Sequence, residues 1–113
     1  MRILIPLEEN KGRNSKLSWH FGRARYFAIY DTEKDELKIV ESKLDEYRKV
    51  MERPVEVLLK LKPDVVFAKG IGPRALDFLT SKGIEVMTCE ANTLRDVIER
   101  GKELKKLSKS CKE

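Results

Sequence analysis

The run Asp64-Val65-Val66-Phe67-Ala68, with the punctuation behind it, constrains this chain more than any other stretch. A strand-length apolar run without polar alternation is the pattern of a strand covered on both faces. Gly70-Ile71-Gly72 breaks it, and Pro73 suits the first position of a helix because its missing N–H would be unpaired there anyway. Ala75, Leu76 and Leu79 then line one helical face. Gly83 follows Lys82 as a C-terminal cap, with apolar Ile84 just beyond, and Glu85-Val86-Met87-Thr88 returns as a strand. A strand-helix-strand crossover of this kind makes its two strands parallel, so the chain is an α/β protein.

Upstream, Arg2 to Leu7 reads as a buried first strand that Pro6 brings to a close. The polar stretch Glu8 to Lys16, with Asn10, Gly12 and Asn14, reads as a loop. Arg25 to Asp31 is aromatic and β-branched, a second strand; Thr32 to Asp35 turns the chain, and Glu36 to Glu41 completes a hairpin. Ser42 to Arg53 fits either a helical turn carrying Leu44, Tyr47 and Met51 or a loop. Pro54 opens a helix with Val55, Leu58, Leu59 and Lys62, and Pro63 ends it. Near the end, Thr93 and Asp96 have capping-box spacing, and Leu94, Val97, Ile98, Gly101 and Leu104 continue with helical spacing. The order β-β-β-α-β-α-β-α predicts a mixed five-stranded sheet flanked by helices, with strands 1, 4 and 5 parallel and strand 2 antiparallel. One domain over 1–107 and a basic tail over 108–113 account for the chain, which has no internal repeat.

In open α/β sheets the usable crevice lies beyond the carboxyl ends of parallel strands. Strand 1 runs into the loop that delivers Ser18-Trp19-His20-Phe21-Gly22-Arg23-Ala24, which holds the only histidine and the only tryptophan. Strand 4 ends at Lys69-Gly70-Ile71-Gly72-Pro73-Arg74-Ala75 and strand 5 at Cys89-Glu90. Parallel neighbours would therefore gather Asn10, His20, Arg23, Lys69, Arg74 and Cys89 on one edge. Gly70 and Gly72 let a ligand approach the backbone, a helix start supplies amides, and Arg23 and Arg74 supply forked positive donors. A phosphate, a carboxylate or an anionic iron–sulfur cluster would all suit such an edge. His20 and Cys89 are the candidate metal ligands; each also fits a plain packing role, and the two arginines could instead pair with surface acids.

Donor counting narrows the choice. A resident iron–sulfur cluster takes about four protein ligands, mostly cysteines. This chain has two cysteines, Cys89 and Cys111, and one histidine, so only transient carriage of a preformed cluster is open to it. A two-metal nuclease needs clustered carboxylates, whereas Asp31 and Asp64 sit at opposite ends of their strands. The net charge of +5 comes from interspersed acids and bases, lopsided only from Lys102 to Lys112, and no aromatic residues interleave with that run, so nucleic acid is not expected. The alternative reading is a module of the same fold that binds nucleic acid through its basic tail or a protein partner through Trp19. Abundant Lys and Glu with no Gln fit a hot environment. With no run near ~18 apolar residues and no signal peptide, the expected compartment is the cytoplasm.

The two motifs, His20-Phe21-Gly22-Arg23-Ala24 before a Tyr-Phe strand and Gly70-Ile71-Gly72-Pro73-Arg74-Ala75 after an apolar strand, resemble the dinitrogenase iron–molybdenum cofactor biosynthesis family, the domain of NifX-type proteins and of the C-terminal part of NifB-type proteins. The likeness runs from Ile3 to Glu99. It implies a ribonuclease H-like three-layer fold and non-catalytic binding of iron–molybdenum cofactor or its iron–sulfur precursors, exchanged with cluster donor and acceptor proteins. It makes His20 the cluster contact and Gly22, Arg23, Gly70, Gly72 and Arg74 the residues that shape the pocket. A His- and Gly-rich segment found in many relatives is replaced here by Ser42 to Arg48, which carries no histidine.

Overall fold

Every residue from Ile3 to Leu7 is buried in the computed structural model of the protein, which describes residues 1–19, 21, 24–41, 62–100 and 105–106. These five residues belong to β1 (Arg2–Leu7), the strand at the centre of the sheet. The hairpin β2 (Tyr26–Asp31) and β3 (Glu36–Glu41) lies on one side of it, antiparallel throughout. On the other side β4 (Val65–Phe67) runs parallel to β1, and β5 (Glu85–Thr88) parallel to β4. A sixth strand, β6 (Lys105–Lys106), closes that edge antiparallel to β5, giving the order β3-β2-β1-β4-β5-β6.

Alternation along the strands splits the core in two. Leu4, Phe27, Ile29, Val66 and Val86 face one side, where Ala75, Leu76 and Leu79 of helix α1 (Pro73–Ser81) cover them. Ile3, Ile5, Leu7, Ala28, Tyr30, Val65 and Phe67 face the other, under Leu94 and Val97 of helix α2 (Leu94–Glu99). Both faces of β1 and β4 are therefore covered, which is why those strands read as unbroken apolar runs.

The boundaries of α1 follow from its sequence. Gly72 caps it with extended backbone and Pro73 opens it. At the far end Gly83 takes φ +78, its N–H bonds Thr80 O at 3.0 Å, and Ile84 N–H bonds Leu79 O at 3.0 Å. That is a Schellman motif, with Ile84 and Leu79 in the same apolar cluster. At α2 the Thr93–Asp96 capping box is formed in both directions.

Two expectations change. β1 continues through Pro6 to Leu7. Pro6 O accepts Ser18 N–H at 3.0 Å on the side of β1 beyond the end of the β4 ladder, so the N–H that proline lacks is not one the ladder needs. The sheet has six strands because Lys105–Lys106, read as part of a basic run, pairs with Met87 and Thr88. Two lysines carry no β signal, although lysine is at home on an edge strand. Asp31 and Asp64 do lie at opposite ends of their strands, and because β2 runs antiparallel those ends meet: Asp31 lies opposite Arg2, and Asp64 Oδ2 accepts Arg2 N–H at 2.8 Å. The helix expected over Pro54–Lys62 and the open stretch Ser42–Arg53 fall almost wholly outside the described residues, as do Gly101 and Leu104. Among the described residues no helix is long and apolar enough to cross a membrane.

Candidate functional site

The described residues of the loop after β1 are held by a series of hydrogen bonds. Gly12 turns it with φ +61. The Ser15 side chain, fully buried, accepts Lys11 N–H at 2.7 Å and donates to Gly12 O at 2.7 Å. Residues 16–18 then run back beside β1, with Glu8 N–H on Lys16 O at 3.0 Å and Leu17 opposite Leu7. Their other edge meets the start of α2: Leu17 N–H donates to Asn92 O, Leu94 N–H to Ser15 O at 2.9 Å, and Arg95 N–H to Arg13 O at 2.8 Å. The first N–H groups of α2, which a helix cannot satisfy internally, are thus taken by the loop and by Thr93 Oγ1, which accepts from Asp96 N–H.

The two glycine-bearing loops meet. Phe21 N–H donates to Gly70 O at 3.1 Å. The Phe21 ring packs edge-on against Phe27 with centroids 5.4 Å apart, in the cluster that also holds Ile71. On the outer side Trp19 is 66% exposed. Lys69 Nζ lies 4.7 Å from the centre of its ring and donates to Asn92 Oδ1 at 3.4 Å. A cleft of about 530 Å³ opens next to them, lined by Trp19, Lys69, Cys89, Asn92, Asp96 and Arg100 among others. Arg100 Nη1 donates to Glu90 O at 2.7 Å. The N–H of Asn92 above all, together with the N–H and hydroxyl of Thr93, holds the Asp96 carboxyl below its ordinary value of 3.8.

Of the residues expected at the site, His20, Gly22 and Arg23 lie outside the described residues, between anchored neighbours: Phe21 and Ala24 are buried, and Trp19 stacks on Lys69. Gly70 is buried. Gly72 and Arg74 are exposed at the start of α1, outside the lining of the cleft. A Cβ placed on Gly72 would meet nothing within 4 Å, so packing does not demand glycine there. Cys89 is half-buried and lines the cleft. Asn10 does not join it; its side chain accepts Gly12 N–H within the loop at 3.5 Å. Among the described residues no three of His, Cys, Asp and Glu group as a metal site. Arg100 and the Trp19–Lys69–Asn92 contact were not legible in the sequence. Only the i, i+4 spacing of Asp96 and Arg100 hinted that both face one way.

The fold is that of a small α/β domain whose loops gather at the carboxyl ends of parallel strands. The chain matches the dinitrogenase iron–molybdenum cofactor family over residues 1–104 and belongs to that family. The crystal structure of a protein designated PH0822 is 33% identical, with 96% of this chain and 97% of that one covered and a TM-score of 0.74. A candidate NifB protein from Thermotoga, solved by NMR, is 27% identical over 99% of this chain and 97% of its own, with a TM-score of 0.77. The apo orange protein from Desulfovibrio gigas, 23% identical over 98% of this chain and 96% of its own, shares the fold with a TM-score of 0.82. No curated protein matches the chain.

Proposed function

We propose that this protein is a non-catalytic carrier that transiently holds an anionic iron–sulfur metallocluster, of the iron–molybdenum cofactor or precursor type, and passes it between donor and acceptor proteins in the cytoplasm. The observation that carries the reading is the Phe21–Gly70 hydrogen bond, which ties the His20-Phe21-Gly22-Arg23 loop to the Gly70-Ile71-Gly72-Pro73-Arg74 loop. In this reading His20 is the inner ligand and Cys89 a second one. Arg23 and Arg74 balance the charge of the cargo, while Gly22, Gly70 and Gly72 leave room for it against the backbone. Two candidate donors fall short of the roughly four that fix a resident cluster, which favours carriage over storage. The strand order, with β2 antiparallel, supports a ribonuclease H-like label for the sheet.

Anaerobic titration with a reconstituted cluster donor, followed by visible absorption and iron content, tests this on wild type and His20→Ala side by side. Binding by wild type that is lost in the variant is the expected result. No binding by wild type, or equal binding by both, removes the carrier reading. One observation favours a second reading, a protein-interaction module: Trp19 is 66% exposed. A partner complex lost in Trp19→Ala with cluster binding absent would establish it.

A further inference from the structure

We propose that the cleft on the α2 side is a binding site for a small, multiply charged anion, held between Lys69 and Arg100. The inference goes beyond cluster carriage and stands whether or not the motif loops hold a metal.

The case begins with charge. Lys69 Nζ is held by the Trp19 ring at 4.7 Å and by Asn92 Oδ1 at 3.4 Å, and Arg100 by Glu90 O at 2.7 Å. All three partners are electrically neutral. The ion pairs among the described residues are Met1–Glu33, Lys11–Glu9 and Arg13–Asp35, all away from this cleft. Glu90 and Asp96 also line the cleft, but among the described residues neither carboxylate forms an ion pair with Lys69 or Arg100. Asp96, which also lines the cleft and attracts Arg100, is engaged elsewhere: its Oδ2 accepts Asn92 N–H at 3.0 Å and Thr93 N–H at 3.2 Å.

Preorganisation points the same way. A free lysine side chain loses considerable rotamer entropy on binding. Here the ring and the amide already restrict it, so an anion meets a cation in place. With its Oδ1 turned to Lys69, Asn92 keeps its amide N–H groups for a ligand, and Thr88 adds a hydroxyl to the lining. The volume of about 530 Å³ falls within the roughly 300–1,000 Å³ of small-ligand sites. Two separate cationic donors suit an anion that presents more than one charged oxygen.

Inorganic pyrophosphate is the probe. Trp19 is the only tryptophan and touches Lys69, so its fluorescence reports the site directly. Titration of the full chain, with calorimetry alongside, should show saturable binding of one pyrophosphate. Lys69→Gln and Arg100→Gln should each weaken it by roughly tenfold, and Lys69→Arg should recover much of the loss. Lys82→Gln removes a cation set over Phe78, away from the cleft, and should leave binding unchanged. The proposal is overturned by a response that sodium chloride of equal ionic strength reproduces. Undiminished binding in the Lys69→Gln, Arg100→Gln double variant, or an equal loss in Lys82→Gln, overturns it as well.

Discussion

Tyr30 donates to Asp35 Oδ1 at 2.5 Å, and Arg13 Nη2 reaches the same oxygen at 3.4 Å while its guanidinium lies 5.9 Å from the centre of the Tyr30 ring. These three residues latch the β2–β3 hairpin to the loop that carries Trp19. The Tyr30 hydrogen bond first, and then Arg13, lowers the Asp35 carboxyl from its ordinary 3.8, while the bond to Asp35 raises the Tyr30 phenol above 10.0. A carboxyl lowered on folding stabilises above its unfolded value, and that contribution fades as pH falls through the folded one. A phenol raised on folding stabilises below 10.0, and its contribution fades as pH climbs through the folded value. Tyr30→Phe should therefore lower the thermal midpoint at neutral pH by a few degrees and flatten both limbs of the stability–pH profile. Unchanged limbs would show that the latch contributes nothing. Ser15 makes a sharper case, because it is fully buried and its hydroxyl serves both Lys11 N–H and Gly12 O. Ser15→Ala should cost about 1–2 kcal/mol in chemical denaturation by stranding the Lys11 N–H. A change within error would mean that water takes its place.

At the scale of elements, the two glycines that bracket α1 have opposite duties. Gly83 sits at φ +78, where a side chain is strained, so Gly83→Ala should destabilise by about 1 kcal/mol. Gly72 has φ −69 and open space around its missing Cβ. Gly72→Ala should leave the denaturation midpoint unchanged or slightly raised. If it nevertheless weakens cluster binding, the cargo approaches the backbone at Gly72; if binding is unaffected, that glycine is not part of the site. The α1 unit was legible in the sequence because each boundary has its own local chemistry: a proline, a glycine, an apolar residue past the cap. The hairpin and the Thr93–Asp96 cap were legible for the same reason. The return segment 16–18 and β6 were not, since backbone hydrogen bonds to distant residues hold them and side-chain patterns do not record such bonds. Trp19, Lys69 and Arg100 are far apart in the chain, so their meeting in one cleft could be known only from the folded molecule.

At the scale of the molecule, β1 has hydrogen-bonded neighbours on both sides and apolar cover on both faces, so it fixes the hairpin and the parallel strands relative to each other. The crevice falls where the chain leaves β1 toward β2 on one side while β4 and β5 end on the other, the usual place for a ligand in such sheets. The loop that lines it also terminates α2, and this gives it a built-in clock. Leu94 and Arg95 donate their amide protons out of the helix to Ser15 O and Arg13 O, whereas Val97 donates to Thr93 O within it. Solvent exchange at Leu94 and Arg95 should therefore time the lifting of the loop, and exchange at Val97 the melting of the helix. We expect the first pair to exchange faster than Val97 and to quicken further in Ser15→Ala. Identical rates at all three positions, insensitive to that change, would mean that loop and helix open together as one unit, and the crevice could then be uncovered only by unfolding α2 with it.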